Sequence, residues 1–290
     1  MRTLKPEDFK SFLKARPKDS HKKDFGHVLV VAGSKEMPGS GYLASLGALR
    51  AGAGLATYCL PQEAFEKFDS RYPEIMAAPA DFSDPQSVLK LCEKKQALVL
   101  GPGLGRDAKI FAFVENLLEN ASLPVVLDAD GLMAIASEPK ILKKRKAPAI
   151  LTPHPGEMAA LIGGTTEQVQ KNRELTAKEA ADLWGVIVVL KGFRTLIAFP
   201  DGRLYVNPTG NPGMATAGTG DVLAGMIGGL LAQGCPPEKA ALAGVYLHGL
   251  AGDMAAAAMG QKGLIASDVL GYVPKAIREI SCHHGVQLSS

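Results

Sequence analysis

The sequence predicts an α/β fold in which helices cover both faces of a mostly parallel central sheet. Short apolar runs alternate with helical patterns from residue 27 to residue 190, which is the rhythm of successive β-α-β units. Several of the short runs are apolar throughout, as parallel strands that are buried on both faces should be. Most of them end in a turn with Gly, Pro or Asp, so the alternation extends over many units.

Strand and helix candidates follow in chain order from hydrophobic periodicity. The predicted strands are 27–32, 55–59, 97–100, 125–127, 149–151 and 186–190. The first helix is predicted at 42–53, after the loop that follows the first strand. Segments 195–199 and 204–206 flank Asp201 and Gly202, which is a hairpin signal. Three helices around 219–233, 236–258 and 267–280 complete the predicted order.

The composition fits one compact domain. The chain has 290 residues, of which 47% are hydrophobic and 32 are glycine. It contains no internal repeat, low-complexity linker or composition break, so we predict a single domain over residues 1–290. The formal charge of +3 is small, and the main basic run, 143–146, is expected to be a solvated helix end. We therefore expect neither a nucleic-acid nor a membrane partner.

The cysteines and the N-terminal segment indicate a cytoplasmic protein. Cys59, Cys92, Cys235 and Cys282 lie far apart and form no CxxC pair, so we expect reduced, mostly buried thiols. The first 25 residues are rich in charged side chains and contain no apolar segment of signal-peptide length. Polar side chains interrupt the Ala/Gly/Leu runs of residues 222–260, so no membrane span is predicted.

Loops rich in glycine and proline follow most of the predicted strands. In such sheets, ligands gather at the carboxyl ends of the strands, where these loops lie. The loops are 33–41, 101–105, 128–131, 152–157 and 191–192. Each is weak evidence alone, because strand-to-helix turns use Gly and Pro for backbone reasons. Together they indicate a ligand site at this edge of the sheet.

The most informative segment is 207–225, a polar glycine-rich loop that leads into an apolar helix. Gly218, Thr219 and Gly220 lie where backbone N–H groups and the helix dipole together favour a phosphate. We therefore predict that they form an anion hole for a phosphoryl group in transfer. Asp221 follows at once, and its carboxylate is predicted to be catalytic. A simple helix cap is the alternative for Asp221, although a cap does not explain the two glycines.

Three other side chains each have a functional and a structural interpretation. Lys191 ends an apolar strand, and its ammonium group either contacts phosphate or extends to solvent. His154 lies between two prolines and either donates to a substrate or has a structural role. His248 lies in an Ala/Gly-rich helical pattern and is expected to be a packed residue. Neither the P-loop signature nor the full dinucleotide fingerprint is present, so neither chemistry is predicted.

These segments together resemble the NAD(P)H-hydrate dehydratase family, whose members are nucleotide-dependent repair enzymes with a ribokinase-like fold. The resemblance covers nearly the whole chain, and its most specific parts are residues 151–157 and 207–225. It implies a ribokinase-like three-layer sandwich with a mostly parallel central sheet between two layers of helices. One departure is Ser40-Gly41, where relatives often carry small alanines.

The resemblance also implies which residues bind the two substrates. The hydrated dinucleotide, NADHX or NADPHX, would contact Gly41, Gly103, His154 and Asp221. The adenine nucleotide would lie along Lys191, Gly192, Phe193, Arg194 and Thr195 and against Gly220. ADP is the implied phosphoryl donor, with ATP as the alternative, and Mg²⁺ is the implied metal, for which no ligands are predicted. We also expect a homo-oligomer and, since the chain is too short for both domains, a functional link to a separately encoded epimerase.

The chemistry of the implied reaction agrees with these residues. Hydroxide is a poor leaving group from a hydrated, reduced nicotinamide and phosphate is a good one, so a kinase-type site can drive a dehydration. Asp221 would deprotonate the ring hydroxyl, and after phosphoryl transfer the ring nitrogen would expel phosphate. The products would be NADH or NADPH, AMP and phosphate. Two alternatives stay open: a ribokinase-like vitamin or small-molecule kinase, and a nucleotide-binding protein without activity.

Overall fold

A computed structural model of the chain describes residues 1–13, 15–66 and 73–282, with only the backbone of Cys282. Its strands are β1 (Arg2–Thr3), β2 (His27–Val31), β3 (Leu55–Pro61), β4 (Ile75–Ala80), β5 (Ala97–Leu100), β6 (Val125–Leu127), β7 (Ala149–Leu151), β8 (Ile187–Leu190), β9 (Leu196–Ala198) and β10 (Leu204–Val206). Its α-helices are α1 (Pro38–Arg50), α2 (Gln62–Phe65), α3 (Pro85–Cys92), α4 (Ala108–Asn120), α5 (Asp130–Ala134), α6 (Pro155–Ile162), α7 (Thr166–Lys171), α8 (Arg173–Trp184), α9 (Thr219–Ala232), α10 (Pro237–Met259) and α11 (Ala266–Cys282).

The strands form a ten-stranded sheet in the order β1-β10-β9-β8-β7-β6-β5-β2-β3-β4. Neighbouring strands from β4 to β8 in this order run parallel to one another. β9 pairs antiparallel with both β8 and β10, and the turn to β10 contains Gly202 at a φ of +83°. The predicted mostly parallel sheet and its hairpin are therefore confirmed.

Helices lie on both faces of the sheet and close two hydrophobic cores. Successive side chains of a strand point to opposite faces, so along β2 Val28 and Val30 enter one core while Leu29 and Val31 enter the other. The first core is completed by α1, α9, α10 and α11, and the second by α3, α4, α6 and α8. Burial on both faces explains why these strands are apolar throughout, and it confirms the predicted three-layer sandwich.

α9 packs against α1 and the sheet at unusually short distances, because glycines remove the side chains that would intervene. A Cβ atom at Gly225 would lie 1.9 Å from the carbonyl oxygen of Ala44 in α1. A Cβ atom at Gly228 would lie 2.3 Å from Cγ2 of Val99 in β5. The start of α9 is thereby held close to the start of α1 and to the carboxyl ends of the strands.

α1 begins at Pro38, whereas the sequence predicts a helix start at residue 42. Proline is favoured at the first helical position because its fixed φ suits the helix and its missing N–H is not needed there. The loop glycines at 39 and 41 conceal this start in the sequence. As a result, Ser40 and Gly41 lie in the first turn of a helix and not in a loop.

The expectation of a solvated basic run is wrong for Arg145. Its guanidinium donates to the backbone oxygens of Leu118 and Leu123, and burial lowers its pKa to about 10. Leu118 lies in the last turn of α4, where carbonyl groups lack helical partners and accept other donors. The three lysines of the run are exposed, as expected.

The cysteine expectation holds for the side chains that can be described. Cys59, Cys92 and Cys235 are buried and unpaired, and the side chain of Cys282 lies outside the described residues. Across residues 1–13, 15–66 and 73–282, no helix is long and apolar enough to cross a membrane.

Candidate active site

The loops singled out by the sequence meet at the carboxyl ends of the parallel strands, beside the start of α9. Gly218 immediately precedes α9 with a φ of +87°, a conformation that glycine adopts readily and other residues do not. The Thr219 hydroxyl donates to the carbonyl oxygens of Met214 and Thr216, both at 3.0 Å, and so ties the loop to the helix start. The first N–H groups of α9 lack partners within the helix and are available to an anion.

Asp221 lies in the first turn of α9, and its surroundings oppose ionisation. Burial and the negative charge of Asp128 raise the pKa of Asp221 from 3.8 to about 7. A hydrogen bond from the Ser40 side chain and the Lys191 ammonium group act in the opposite direction. The capping position itself is taken by Gly218, which has no side chain. Asp221 is therefore a buried carboxylate that can exchange a proton near neutral pH, which a simple cap need not be.

Lys191 is the centre of a buried group of charges. Its Nζ donates to Oδ1 of Asp128 at 2.7 Å and lies 3.9 Å from Oε2 of Glu157. The Lys191 side chain is 19% exposed, which excludes the alternative that the lysine extends to solvent. Burial alone would lower the pKa of Lys191, but the charges of Asp128 and Glu157 outweigh it and raise the pKa. The ammonium group is thus permanently charged.

This charged group adjoins the predicted anion hole. A Cβ atom at Gly220 would lie 3.3 Å from Nζ of Lys191 and 3.8 Å from Oδ2 of Asp128. The absence of a side chain at residue 220 therefore leaves the ammonium group and one carboxylate oxygen facing the helix start. A phosphoryl group at this position would meet backbone donors and a cation together.

A cavity of about 440 Å³ adjoins this helix start and includes Thr219 and Gly220 in its wall. Its walls contain all six residues predicted for the nucleotide, namely Lys191, Gly192, Phe193, Arg194, Thr195 and Gly220. The opposite wall comes from the loop between β10 and α9 and from α10, with Asn207, Thr209, Asn211, Met214, His248 and Gly249 among its residues. Phe193 is 86% exposed, so its ring lies at the mouth of the cavity and presents an apolar face to a ligand.

Arg173, at the start of α8, fastens the loop after β8. Its guanidinium donates to the carbonyl oxygens of Leu190 at 3.2 Å, Lys191 at 3.4 Å and Phe193 at 2.5 Å. The loop contains Gly192 at a φ of +134° and Arg194 at +54°, and the latter conformation is unfavourable for a side chain. We infer that these hydrogen bonds hold the loop in its cavity-forming shape.

None of the residues predicted to contact the dinucleotide lines this cavity. Gly103 has a φ of +66°, and a Cβ atom there would lie 2.9 Å from Oγ of Ser40. Gly41 is buried against the ring of Tyr58, which a Cβ atom at Gly41 would approach to 2.0 Å. Gly41 therefore has a packing reason to be glycine, while Gly103 brings its loop against the first turn of α1.

His154 precedes α6 and caps it. Its Nδ1 accepts hydrogen bonds from the backbone N–H groups of Gly156 at 3.0 Å and Glu157 at 3.2 Å. Since Nδ1 is an acceptor, a neutral ring carries its proton on Nε2, which lies 3.4 Å from Oε1 of Glu157. The side chain is 54% exposed, so the structural role at Nδ1 leaves Nε2 able to donate to a ligand.

Sequence reasoning left out four residues of this site. Asp128 and Glu157 lie in loops that the sequence indicated, but only the fold brings their carboxylates to Lys191. Arg173 belongs to no motif and precedes its partners by 17 to 20 residues in the chain. His248 was expected to be a packed residue, and it is buried, but it also lines the cavity. A histidine in the otherwise mostly apolar segment 240–252 was the available signal for His248.

Three comparisons bear on this site. A family model described as NAD(P)H-hydrate dehydratase matches residues 28–275. The ADP-dependent (S)-NAD(P)H-hydrate dehydratase of Neisseria meningitidis is 42% identical over 90% of this chain and 88% of its own length. The crystal structure of the ADP/ATP-dependent NAD(P)H-hydrate dehydratase of Bacillus subtilis, co-crystallised with ATP and Mg²⁺, superposes with a TM-score of 0.84 at 34% identity, covering 96% of this chain and 98% of that one.

Longer relatives also match. The bifunctional NAD(P)H-hydrate repair enzyme of Moorella thermoacetica is 44% identical over 93% of this chain but only 53% of its own length. This chain thus spans about half the length of the bifunctional relatives that it matches.

Proposed function

Because this chain belongs to the NAD(P)H-hydrate dehydratase family, we propose that it dehydrates (S)-NADHX and (S)-NADPHX to NADH and NADPH at the expense of ADP. AMP and phosphate are the other products, and the enzyme is a hydro-lyase of nicotinamide-nucleotide repair. The observation that carries this proposal is Asp221, a buried carboxylate with a pKa of about 7 at a helix start that adjoins a nucleotide-sized cavity.

The first step that we assign is proton removal. Asp221 accepts the proton of the hydroxyl group on the hydrated ring, and the freed oxygen attacks the terminal phosphoryl group of ADP. A carboxylate whose pKa is close to the working pH is well matched to this task. Ser40 and Lys191 favour the ionised form and keep part of the Asp221 population ready for reaction.

The N–H groups of Gly218, Thr219 and Gly220 and the Lys191 ammonium group stabilise the charge on the transferring phosphoryl group. The ring nitrogen then supplies its electron pair, the carbon–oxygen bond breaks, and phosphate leaves with the former hydroxyl oxygen. Loss of a ring proton and formation of the double bond restore the reduced nicotinamide. The oxygen of the lost water thus leaves in phosphate, and its two hydrogens leave as the hydroxyl proton and the ring proton.

The dinucleotide lies between the Gly41, Gly103 and His154 loops in this proposal, and the adenine nucleotide lies in the cavity along Lys191 to Thr195. His154 donates from Nε2 to a polar atom of the dinucleotide, since Nδ1 is occupied by the cap of α6. Gly220 is the common boundary of both sites, because it lines the cavity and precedes Asp221.

Mg²⁺ fits this arrangement as a metal carried by the nucleotide. Over the described part of the chain, no three His, Cys, Asp or Glu side chains converge into a metal cage. Mg²⁺ commonly binds substrate phosphates with only one or two protein carboxylates. Asp128 would hold it through Oδ2, since Oδ1 accepts from Lys191 and Oδ2 faces Gly220. The metal would offset phosphate charge and leave proton transfer to Asp221.

Four further expectations belong to the same proposal. The repair role links this chain to an epimerase activity that converts the other epimer of the hydrate. Reduced nicotinamide cofactors and unpaired buried thiols support a cytoplasmic location. The continuous sheet supports a single domain over residues 1–290. A homo-oligomer remains our expectation, and sedimentation analysis measures it directly.

Product analysis tests the reaction class. With hydrate labelled by ¹⁸O in its hydroxyl group, we expect one NADH, one AMP and one phosphate per hydrate consumed, and the label in the phosphate. Absorbance reports NADH, and phosphorus NMR resolves labelled phosphate from unlabelled phosphate. ATP in place of ADP, with ADP as the expected product, tests donor choice.

Each other outcome identifies another function. Unlabelled phosphate would mean that ADP is hydrolysed by water and does not activate the hydroxyl group. A persistent phosphate ester on a vitamin or sugar alcohol, with no NADH formed, would indicate a small-molecule kinase. Nucleotide binding without any turnover would indicate a binding protein.

The Arg173 contacts predict a selective loss of nucleotide affinity. Arg173→Ala removes three hydrogen bonds to loop carbonyls and is expected to weaken ADP binding by about tenfold or more. KM for the dinucleotide should change little, and Arg173→Lys should recover part of the affinity. Calorimetric titration with ADP provides the measurement.

Arg203→Ala is the matched control for Arg173→Ala. Arg203 is also held by several partners, Asp201 at 2.6 Å and Glu238 at 2.8 Å, but neither of these partners lines the cavity, whereas Lys191 and Phe193, which Arg173 holds, do. An equal loss of ADP affinity in both variants would contradict the role assigned to Arg173.

A further inference from the structure

His248 is a buried histidine on the cavity side of α10. Its residue is 9% exposed, and its side chain forms part of the cavity wall together with Thr219 and Lys191. The next residue of α10 is Gly249, where a Cβ atom would lie 2.2 Å from Oγ1 of Thr209. The ring is therefore the polar group that this part of the helix presents to the inner end of the cavity.

The imidazole ring is neutral at physiological pH. Burial, opposed by a hydrogen bond to the Thr219 backbone and assisted by the nearby Lys191 charge, lowers the pKa of His248 to about 4. A neutral ring has one N–H donor and one lone pair, so each of its two nitrogens can form a single hydrogen bond.

One of these hydrogen bonds is missing. Within the described residues, no group hydrogen-bonds to Nε2 of His248, although the atom is buried. Buried polar atoms without a partner are rare because the loss of water is not compensated. His27 provides the contrast, since burial also lowers its pKa to about 4 but its Nε2 lies 2.7 Å from Oγ1 of Thr57.

The surroundings of the ring are fixed by hydrogen bonds, so the protein itself has little freedom to supply the partner. Asn207 donates to the carbonyl oxygens of Thr209 at 3.0 Å and Val245 at 3.4 Å, and the Thr209 hydroxyl donates to that of Tyr246 at 2.9 Å. These bonds tie the loop after β10 to the turn of α10 that precedes His248. A ligand in the cavity is then the natural partner for Nε2.

We propose that His248 accepts a hydrogen bond from a ribose hydroxyl of the adenine nucleotide through Nε2 and thereby helps to set nucleotide affinity. This inference rests on the proposed function, which places an adenine nucleotide in the cavity. The inner end of the cavity holds Thr219, Gly220 and Lys191, which suit phosphate, whereas Phe193 lies exposed at the mouth and suits the base. The hydrogen bond to the Thr219 backbone favours the protonated ring, so Nδ1 donates it to the carbonyl oxygen and Nε2 keeps the lone pair. A ribose hydroxyl can donate to that lone pair, whereas an ionised phosphate oxygen has no proton to donate.

The first experiment uses the unaltered protein, labelled with ¹⁵N in its histidine side chains and titrated with ADP and Mg²⁺. We expect the Nε2 resonance of His248 to shift on saturation and that of His27 to stay in place. An unchanged His248 resonance in protein that binds ADP would overturn this inference and leave the proposed function intact. No ADP binding at all would overturn both.

The second experiment measures ADP affinity of variants by calorimetry. His248→Ala is expected to weaken ADP binding by about tenfold, with KM for the dinucleotide unchanged, and His248→Gln should retain more affinity because its amide can still hydrogen-bond. His27→Ala is the matched control and should bind ADP normally. Unchanged affinity in folded His248→Ala would refute the assignment.

A nucleotide without ribose hydroxyls tests the partner of Nε2. If the loss of affinity in His248→Ala disappears with 2′,3′-dideoxy-ADP, the contact is to a ribose hydroxyl, as proposed. If His248→Ala weakens binding of 2′,3′-dideoxy-ADP as much as that of ADP, the contact is not to the ribose and the proposal is wrong.

Discussion

Asp221→Asn is expected to reduce turnover by at least about a hundredfold, since it removes the group that accepts the substrate proton while keeping the shape of the side chain. Nucleotide binding should persist, because the asparagine leaves Lys191 and the helix start unchanged. Steady-state kinetics and calorimetry on the same preparation measure both effects. In the unaltered enzyme, kcat/KM should fall about tenfold per pH unit below the Asp221 pKa of about 7.

The same substitution is expected to stabilise the protein in alkaline solution. The pKa of Asp221 is about 7 in the folded chain against 3.8 ordinarily, so between these values the folded state binds more protons than the unfolded state. The unaltered protein therefore loses stability as pH rises from about 4 to about 7. Asp221→Asn carries no such charge, so its free energy of unfolding should exceed that of the parent by a few kcal/mol above pH 7, and the gain should vanish below about pH 4.

Asp268→Asn is a control at the equivalent position of another helix. Asp268 is also the third residue of its helix, α11, but its Oδ2 accepts a hydrogen bond from the backbone N–H of Ile265 at 2.9 Å. That variant should lose a little stability and keep its activity. If Asp221→Asn behaves in the same way, Asp221 is a cap and the proposed mechanism is wrong.

Lys191→Met is expected to have the second large effect, which lowers both the stability of the protein and its affinity for ADP. It leaves the buried carboxylates of Asp128 and Glu157 without their cation, which should cost about 3–5 kcal/mol of stability. It also removes a positive charge from the phosphoryl position, so ADP affinity should fall by one to two orders of magnitude, about the loss of a charge-assisted contact. Thermal unfolding and calorimetric titration measure the two effects separately.

A double variant separates the two roles of Lys191. Adding Asp128→Asn to Lys191→Met removes one of the unpaired charges, so much of the stability should return. The affinity for Mg²⁺-free ADP should stay low, because the ammonium group is still absent. If ADP affinity recovers together with stability, Lys191 acts only by holding the fold.

The sequence was sufficient for strands β2, β3 and β5 to β8, because they are buried on both faces and so are largely apolar, as in Val28 and Leu29 of β2. The sequence also located the loops that follow these strands, since glycine and proline mark turns by their backbone preferences. It did not predict β1 or β4, the two edge strands of the sheet, whose residues are largely exposed or half-buried. The start of α1 was placed too late, because Gly39 and Gly41 hide a helical turn that Pro38 begins. In that case tertiary packing overrides local propensity.

Pairing between distant side chains could not be predicted. Lys191 had two open interpretations, and the choice depended on Asp128, which lies 63 residues earlier in the chain. The roles of Arg173 and His248 depend likewise on carbonyl groups and helices that only the fold brings near them. The structural role of His154 is confirmed at Nδ1, which caps α6, and its predicted role in binding substrate stays a prediction for Nε2.

The close contacts of α9 have a consequence for how the enzyme acquires activity during folding. Glycine in a helix interior costs about 1 kcal/mol relative to alanine, and α9 contains Gly225, Gly228 and Gly229 in its middle. An isolated α9 should therefore be unstable, and it becomes helical when it docks on α1 and β5. Because Asp221 and the predicted anion hole lie at the start of this helix, we expect them to form only with the assembled core, so that partly folded chains should not bind ADP.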